Sequence, residues 1–268
     1  MAITDLNLVV AALANGQVRE LYKDTVTSEG AGTWHSLWKV AGNPGAGANP
    51  GSLAGAIPTD ATLGAFAFNN PTGGQLAYLM RLAASGSIIG KLILYDRLWH
   101  NSTMSGTQTT TDTTLGAVPA LTRPDANGAG TELWGEIYTA IGATGATLNV
   151  RYTNQAGTTL QVATYAHPAN AESVGQMFPL ILTAGDTGVR AATAYHWSGT
   201  TGTAGDFGLT ILRRLAEVPL TLANVGVVHD FAALGLPRIY DDACLSMMVL
   251  CTTTTTGIFQ GSLVIGAG

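Results

Sequence analysis

The chain has 268 residues, a formal net charge of −5 and charged side chains at only 11% of positions, against about 25% in an ordinary soluble domain. No Lys/Arg-rich run is present, which excludes the electrostatic footprint of a nucleic-acid binder, and the mild acidity argues against anionic membranes. Gly occupies 34 positions, and a chain that forgoes a charged, patch-free surface is expected to bury much of it against other chains.

Residues 3–14 read as a short helix, capped by Thr4 or Asp5 and ended by Asn15-Gly16. Asp5 stands where a secretory signal wants basic residues, so no signal is read. A helical or extended piece follows at Val18 to Lys23. From Thr27 to Gly74 the chain is rich in Gly, Pro, Asn and Ala, and regular periods disappear. It is too apolar for a solvated linker, because Trp34, Leu37 and Trp38 need cover. Residues 1–74 are therefore expected to form an extended N-terminal arm. Its order would come from a partner surface or from its own β domain, with Trp34, Leu37 and Trp38 as the interface residues.

Beyond residue 75 period-two patterns dominate. Leu76, Tyr78, Met80 and Leu82 alternate with smaller or polar neighbours. In Lys91 to Leu98, Asp96 interrupts an apolar face. Leu133 to Tyr138 adds a strand, and Leu148, Val150 and Tyr152 alternate with Thr147, Asn149, Arg151 and Thr153. Asn154 to Gly157 is a hairpin turn. Further strands are read at 160–162, 189–197, 207–211, 245–251 and 258–265. The stretch Ala243 to Gly268 has no charge, but Thr252 to Thr256 and its glycines break it. It reads as two strands rather than the ~20 apolar residues of a spanning helix. Cys244 and Cys251 lie about 23 Å apart on an extended strand, too far for a disulfide, and are read as buried small hydrophobes. The expected fold is mainly β: residues 75–268 as one antiparallel β-sandwich, jelly-roll-like, with the short helix and the arm before it.

Chemistry is hard to find. His35, His100, His167, His196 and His229 are scattered, without HxH, HxxxH or HExxH spacing, so no metal site is read. Asp241-Asp242 reads as a strand entry beside Arg238. The loop Gly42 to Gly47 lacks the Lys-Ser/Thr of a phosphate loop. No GxSxG elbow is present. No catalytic residue and no cofactor is expected. A glycan-active or esterase-like enzyme would need a pocket that brings two carboxylates, or a His, an acid and a nucleophile, together.

The strings TWHSLWKVAGNPGAGANPG, LILYDRLWHNSTMSGTQTTT, TNQAGTT, LTAGDTGVRA, LPRIYDDACLSMMVL and GIFQGSLVIGAG together resemble virion structural proteins of tailed bacteriophages, over most of the chain from about Trp34. Within that group the resemblance points to capsid cement or decoration proteins. It implies a β-sandwich with an arm, a homotrimer, the major capsid protein as partner and a place on the virion capsid, after assembly in the host cytoplasm. A tail or head-fibre protein that binds a receptor or glycan is the alternative. Fibres usually show repeats or heptads, and neither is evident.

Overall fold

The computed structural model describes residues 3–24, 30–124, 127–254 and 256–268. Thr27, at the start of the irregular stretch, and Thr255 of the Thr-rich turn lie outside them. The elements are α1 (Leu6–Ala14), β1 (Gln17–Asp24), β2 (Trp34–Ser36), β3 (Gly42–Asn43), β4 (Ala77–Gly86), β5 (Gly90–His100) and β6 (Thr113–Thr114). There follow β7 (Glu132–Thr139), β8 (Ala146–Asn154), β9 (Gln161–His167), β10 (Gln176–Pro179), β11 (Val189–Trp197) and β12 (Asp206–Leu220). The chain closes with β13 (Val227–Asp230), α2 (Phe231–Leu234), β14 (Arg238–Ile239), β15 (Leu245–Cys251) and β16 (Ile258–Ala267). The molecule is mainly β with antiparallel sheets and a short N-terminal helix, as the period-two patterns require.

The contacts divide the chain into two compact units. The first holds Met1–Ala48, Thr59–Asp96 and Arg214–Gly268; the second holds Asn49–Pro58 and Arg97–Arg213. The division does not fall at residue 74, and the expected arm is not a separate body. β1 pairs with β16 along its whole length and with β3 at Tyr22 and Lys23. The physical reason is its alternation: Leu21 and Lys23 point inward while Tyr22 and Asp24 point out. Lys23 tolerates burial because its ammonium donates to the carbonyls of Val40 (2.9 Å), Pro44 (2.6 Å) and Gly45 (3.3 Å). Burial lowers its pKa to about 8.

The first unit is a sandwich. One sheet runs β13-β4-β16-β1-β3, with β14 also on β4. Facing it, β15 pairs with β2 and with Gly90–Asp96 of β5. Leu21, Leu79, Leu82, Phe259 and Leu263 from the first layer meet Leu92, Leu94, Met247 and Val249 from the second in one buried cluster. Asp96 is fully buried in this layer, and its Oδ1 accepts from the Cys244 amide at 2.9 Å. Cys244 and Cys251 are both free and buried.

The second unit has a sheet in the order β6-β11-β8-β9. In addition, β7 pairs with β10 and with Asp206–Leu212 of β12. The alternation on β8 is as read: Leu148, Val150 and Tyr152 are buried and their neighbours half-buried. They join Trp99, Trp197, Phe207 and Ile211 in the core. Among the described residues no helix is long and apolar enough to cross a membrane.

Candidate interaction surface

The three interface residues expected from sequence sit together in the first unit but in different settings. Trp34 is half-buried on β2, with the Arg214 guanidinium 5.9 Å from its ring centroid. Leu37 and Trp38 are 1% and 0% exposed. Trp38 packs on Ala65 and Cys244, and its Nε1 donates to the Ala48 carbonyl at 3.1 Å. The Gly-rich loop is shaped around this ring. A Cβ at Gly47 would lie 2.2 Å from Trp38 Cε2, so only glycine allows the close approach. Leu37 and Trp38 are thus buried in the core of their own unit rather than presented on its surface.

The exposed apolar surface lies elsewhere. Fifteen large hydrophobic residues among those described are exposed; only Leu160, Val174 and Ile181 belong to the second unit, and the other twelve to the first. Five of these twelve follow uncharged sequence. Residues 82–90, 218–228 and 243–268 contain no charged side chain, and these stretches supply β15, β16, the second half of β4, the start of β13 and the turns beside them. At one end of the sheet the turns are stitched together. Ser87 N donates to the Ile258 carbonyl (2.9 Å), Ile258 N to Ser87 Oγ (2.8 Å) and Asn224 N to the Gly86 carbonyl (2.7 Å). Ile89, Leu222, Val225 and Ile258 are exposed on these segments.

The outer face of the same sheet is open over half its length. Register places Tyr22, Gln260 and Ser85 in one row, and Glu20, Ser262, Ala83 and Val228 in the next. Val18, Val264, Arg81 and Asp230 form a third. Small residues in the middle row leave a groove of about 510 Å³ lined by Glu20, Tyr22, Ala83, Ser85, Val228 and Ser262. Beyond the third row α1 covers the face: Val9 and Ala12 pack on Met80 and Val264, with Tyr78, Phe231 and Leu236 around them. Asp5 caps this helix by accepting from the Leu8 amide at 3.0 Å.

The polar residues with chemical potential bind the chain to itself. Asp242 and Asn70 clip two loops: Asn70 Nδ2 donates to Asp242 Oδ1 (2.6 Å) and the Asp242 amide to Asn70 Oδ1 (3.0 Å). His229 and Asp230 lie on β13, where Asp230 Oδ1 caps α2 through the amides of Ala232 and Ala233. His35 accepts at Nε2 from the Gly30 amide (3.1 Å), and burial lowers its pKa to about 4. Among the described residues no group of three or more His, Cys, Asp or Glu could hold a metal ion.

Three clusters in the second unit carry no recognisable spacing in the sequence: two join residues far apart in the chain, and the third gathers Tyr165, His167 and Glu172 across a strand end. Arg97 Nη1 donates to Glu136 Oε2 at 2.7 Å and to Thr210 Oγ1 at 3.1 Å, with both charged side chains fully buried. His100 Nδ1 lies 3.2 Å from the same guanidinium nitrogen. Burial, then the Arg97 charge, holds His100 well below its ordinary pKa, and because a guanidinium only donates, Nδ1 is the acceptor. His167 sits between two acceptors, with Nδ1 3.1 Å from Glu172 Oε1 and Nε2 2.9 Å from the Gly142 carbonyl. Tyr165 donates to the same Glu172 oxygen. Asp112 bridges His196 Nδ1 (2.6 Å) and Arg151 Nε (3.0 Å). The only advance signal was charge inside apolar strands, as in LILYDRLWH.

No family model matches the chain, and no curated protein matches it. Solved structures with some likeness include the T13 viral particle of IBDV, 10% identical, covering 94% of this chain and 77% of that one, with a TM-score of 0.19. Another is the VP2 subviral particle of infectious bursal disease virus, 9% identical, with coverage of 96% and 81% and a TM-score of 0.19. Both are chains of viral particles. TM-scores this low do not establish a shared fold.

Proposed function

We propose that this chain is a non-enzymatic structural protein of a virion, a cement or decoration protein that stabilises a phage capsid by bridging neighbouring shell subunits. The observation that carries the reading is the convergence of three uncharged stretches on one unit, with Ile89, Leu222, Val225 and Ile258 exposed at its turn end. Such a surface meets another protein cheaply, because few ions lose their water. Each Å² of apolar surface covered contributes about 25 cal/mol, less the ordering cost. Many weak contacts on a closed shell then add avidity.

The test is co-sedimentation of the purified chain with capsids of the encoding phage that lack it. Saturable binding is expected, and Leu222→Lys with Ile258→Lys should abolish it while far-ultraviolet circular dichroism stays unchanged. Absence of binding by the folded wild-type chain, or binding untouched by both substitutions, overturns the reading.

A further inference from the structure

We infer that the open half of the outer sheet face in the first unit is covered by α1 of a second copy of this chain, in a reciprocal two-fold pair. Two surfaces carry the inference. The first is the outward side of α1. Val9 and Ala12 face its own sheet, yet Leu6, Val10 and Leu13, at i, i+4 and i+7, are 65%, 58% and 38% exposed. That spacing puts them in one stripe, and no residue from Leu6 to Ala14 is charged. A helix with two apolar sides needs cover on both.

The second surface is the groove beside it. Its floor is small, at Ala83, Ser262 and Gly261, and its rim carries Tyr22 and Val228. Glu20 is the one charged residue lining it. Small residues let a helix lie close to the sheet, and an uncharged stripe meets no like charge there. The two surfaces lie on one face of one sheet, half covered by its own helix and half bare. A two-fold axis lying in the plane between two such faces, perpendicular to the line from helix to groove, brings the bare half of each copy over the helix of the other. The two helices then lie side by side between two sheets. This is the self-complementary arrangement that an isologous dimer requires.

The area reaches the lower bound of a specific interface. A nine-residue helix is a cylinder about 14 Å long and about 12 Å across, so the outward half of its side presents on the order of 260 Å². Two such contacts, counted on both surfaces, remove roughly 1,000 Å², the least a specific interface buries. A ring of three would have one such contact per interface, about half that area, so the face favours a dimer over the trimer that the phage resemblance implies.

The test is the mass of the full chain by sedimentation equilibrium at micromolar concentration. Two copies are expected. Val10→Lys on the helix and Ala83→Arg in the groove, each shown to be folded by circular dichroism, should weaken the dimer by about 100-fold or more, as loss of a central contact does. Ile181→Lys in the second unit should leave it intact. A monomeric or trimeric wild type, or a dimer indifferent to both substitutions, overturns the inference. A monomer that still binds capsids removes only this pairing, and a dimer that never binds them removes only the shell reading.

Discussion

Replacing Arg97 by Met tests how the second unit is held together. The guanidinium and the Glu136 carboxylate are both fully buried and 2.7 Å apart. The same carboxylate oxygen accepts from the Tyr138 hydroxyl (3.2 Å) and from Thr210 Oγ1 (3.3 Å). Removing the cation leaves a buried charge without its ion pair, which costs about 3–5 kcal/mol. The two hydroxyl bonds remain and keep the cost from exceeding that range. A loss of this size lowers the unfolding midpoint of the unit by roughly 10–20 °C. The double substitution Arg97→Met with Glu136→Met removes both charges together. It still strands the Tyr138 and Thr210 hydroxyls, each at about 1 kcal/mol, so it should be more stable than the single variant by about 2 kcal/mol. Urea unfolding followed by tryptophan fluorescence reads this, since Trp99, Trp134 and Trp197 all lie in this unit. A double variant no more stable than Arg97→Met, or a single variant that loses under about 1 kcal/mol, refutes the reasoning.

Other outcomes follow from the same structure. Burial pushes the His167 imidazole down, but the bonds to Glu172 and the Gly142 carbonyl, with the Glu172 charge, raise it above its ordinary 6.5. Its stabilisation is therefore complete below 6.5 and fades as pH rises through the higher folded value; urea titrations across that window should show the decline in the wild type and not in His167→Gln. Trp38→Ala should cost about 3–5 kcal/mol by denaturation, as a core truncation, and a small loss would return Trp38 to the surface. Asp5→Ala should cost about 1 kcal/mol, the worth of an N-cap, visible as faster amide exchange in α1 with the sheets unaffected.

Local features were legible in the sequence. Asp5 and Asn15 bound the helix as cap rules require. The strict alternation of β8 declares one buried face, and the turn from Asn154 closes with the Gly157 amide on the Asn154 carbonyl at 2.9 Å. What was hidden depends on distant partners. The run from Thr27 to Gly74 looks like an arm because its composition follows no period; two of its glycines, Gly47 and Gly64, are instead set by the ring of Trp38. Apolarity marked Leu37 and Trp38 as needing cover but not whether their own chain supplies it. Lys23 is inward only because three carbonyls from residues 40–45 surround its ammonium. β5 reads as half-buried with an interruption at Asp96, yet it is buried on both faces, since Asp96 finds the Cys244 amide and Arg97 finds Glu136. The interaction surface was half visible. The uncharged stretch from Ala243 stands out in the sequence, but its meeting with residues 82–90 and 218–228 is a property of strand order.

The most direct test of the proposed function is a density map of purified virions of the phage proposed to encode this chain, with its copy number measured on the same particles. The chain is expected in fixed ratio to the shell subunits, with Leu222, Val225 and Ile258 against them and the groove beside Ala83 covered by α1 of a second copy. Virions that lack the chain, or that hold it away from every shell subunit, contradict the proposed function.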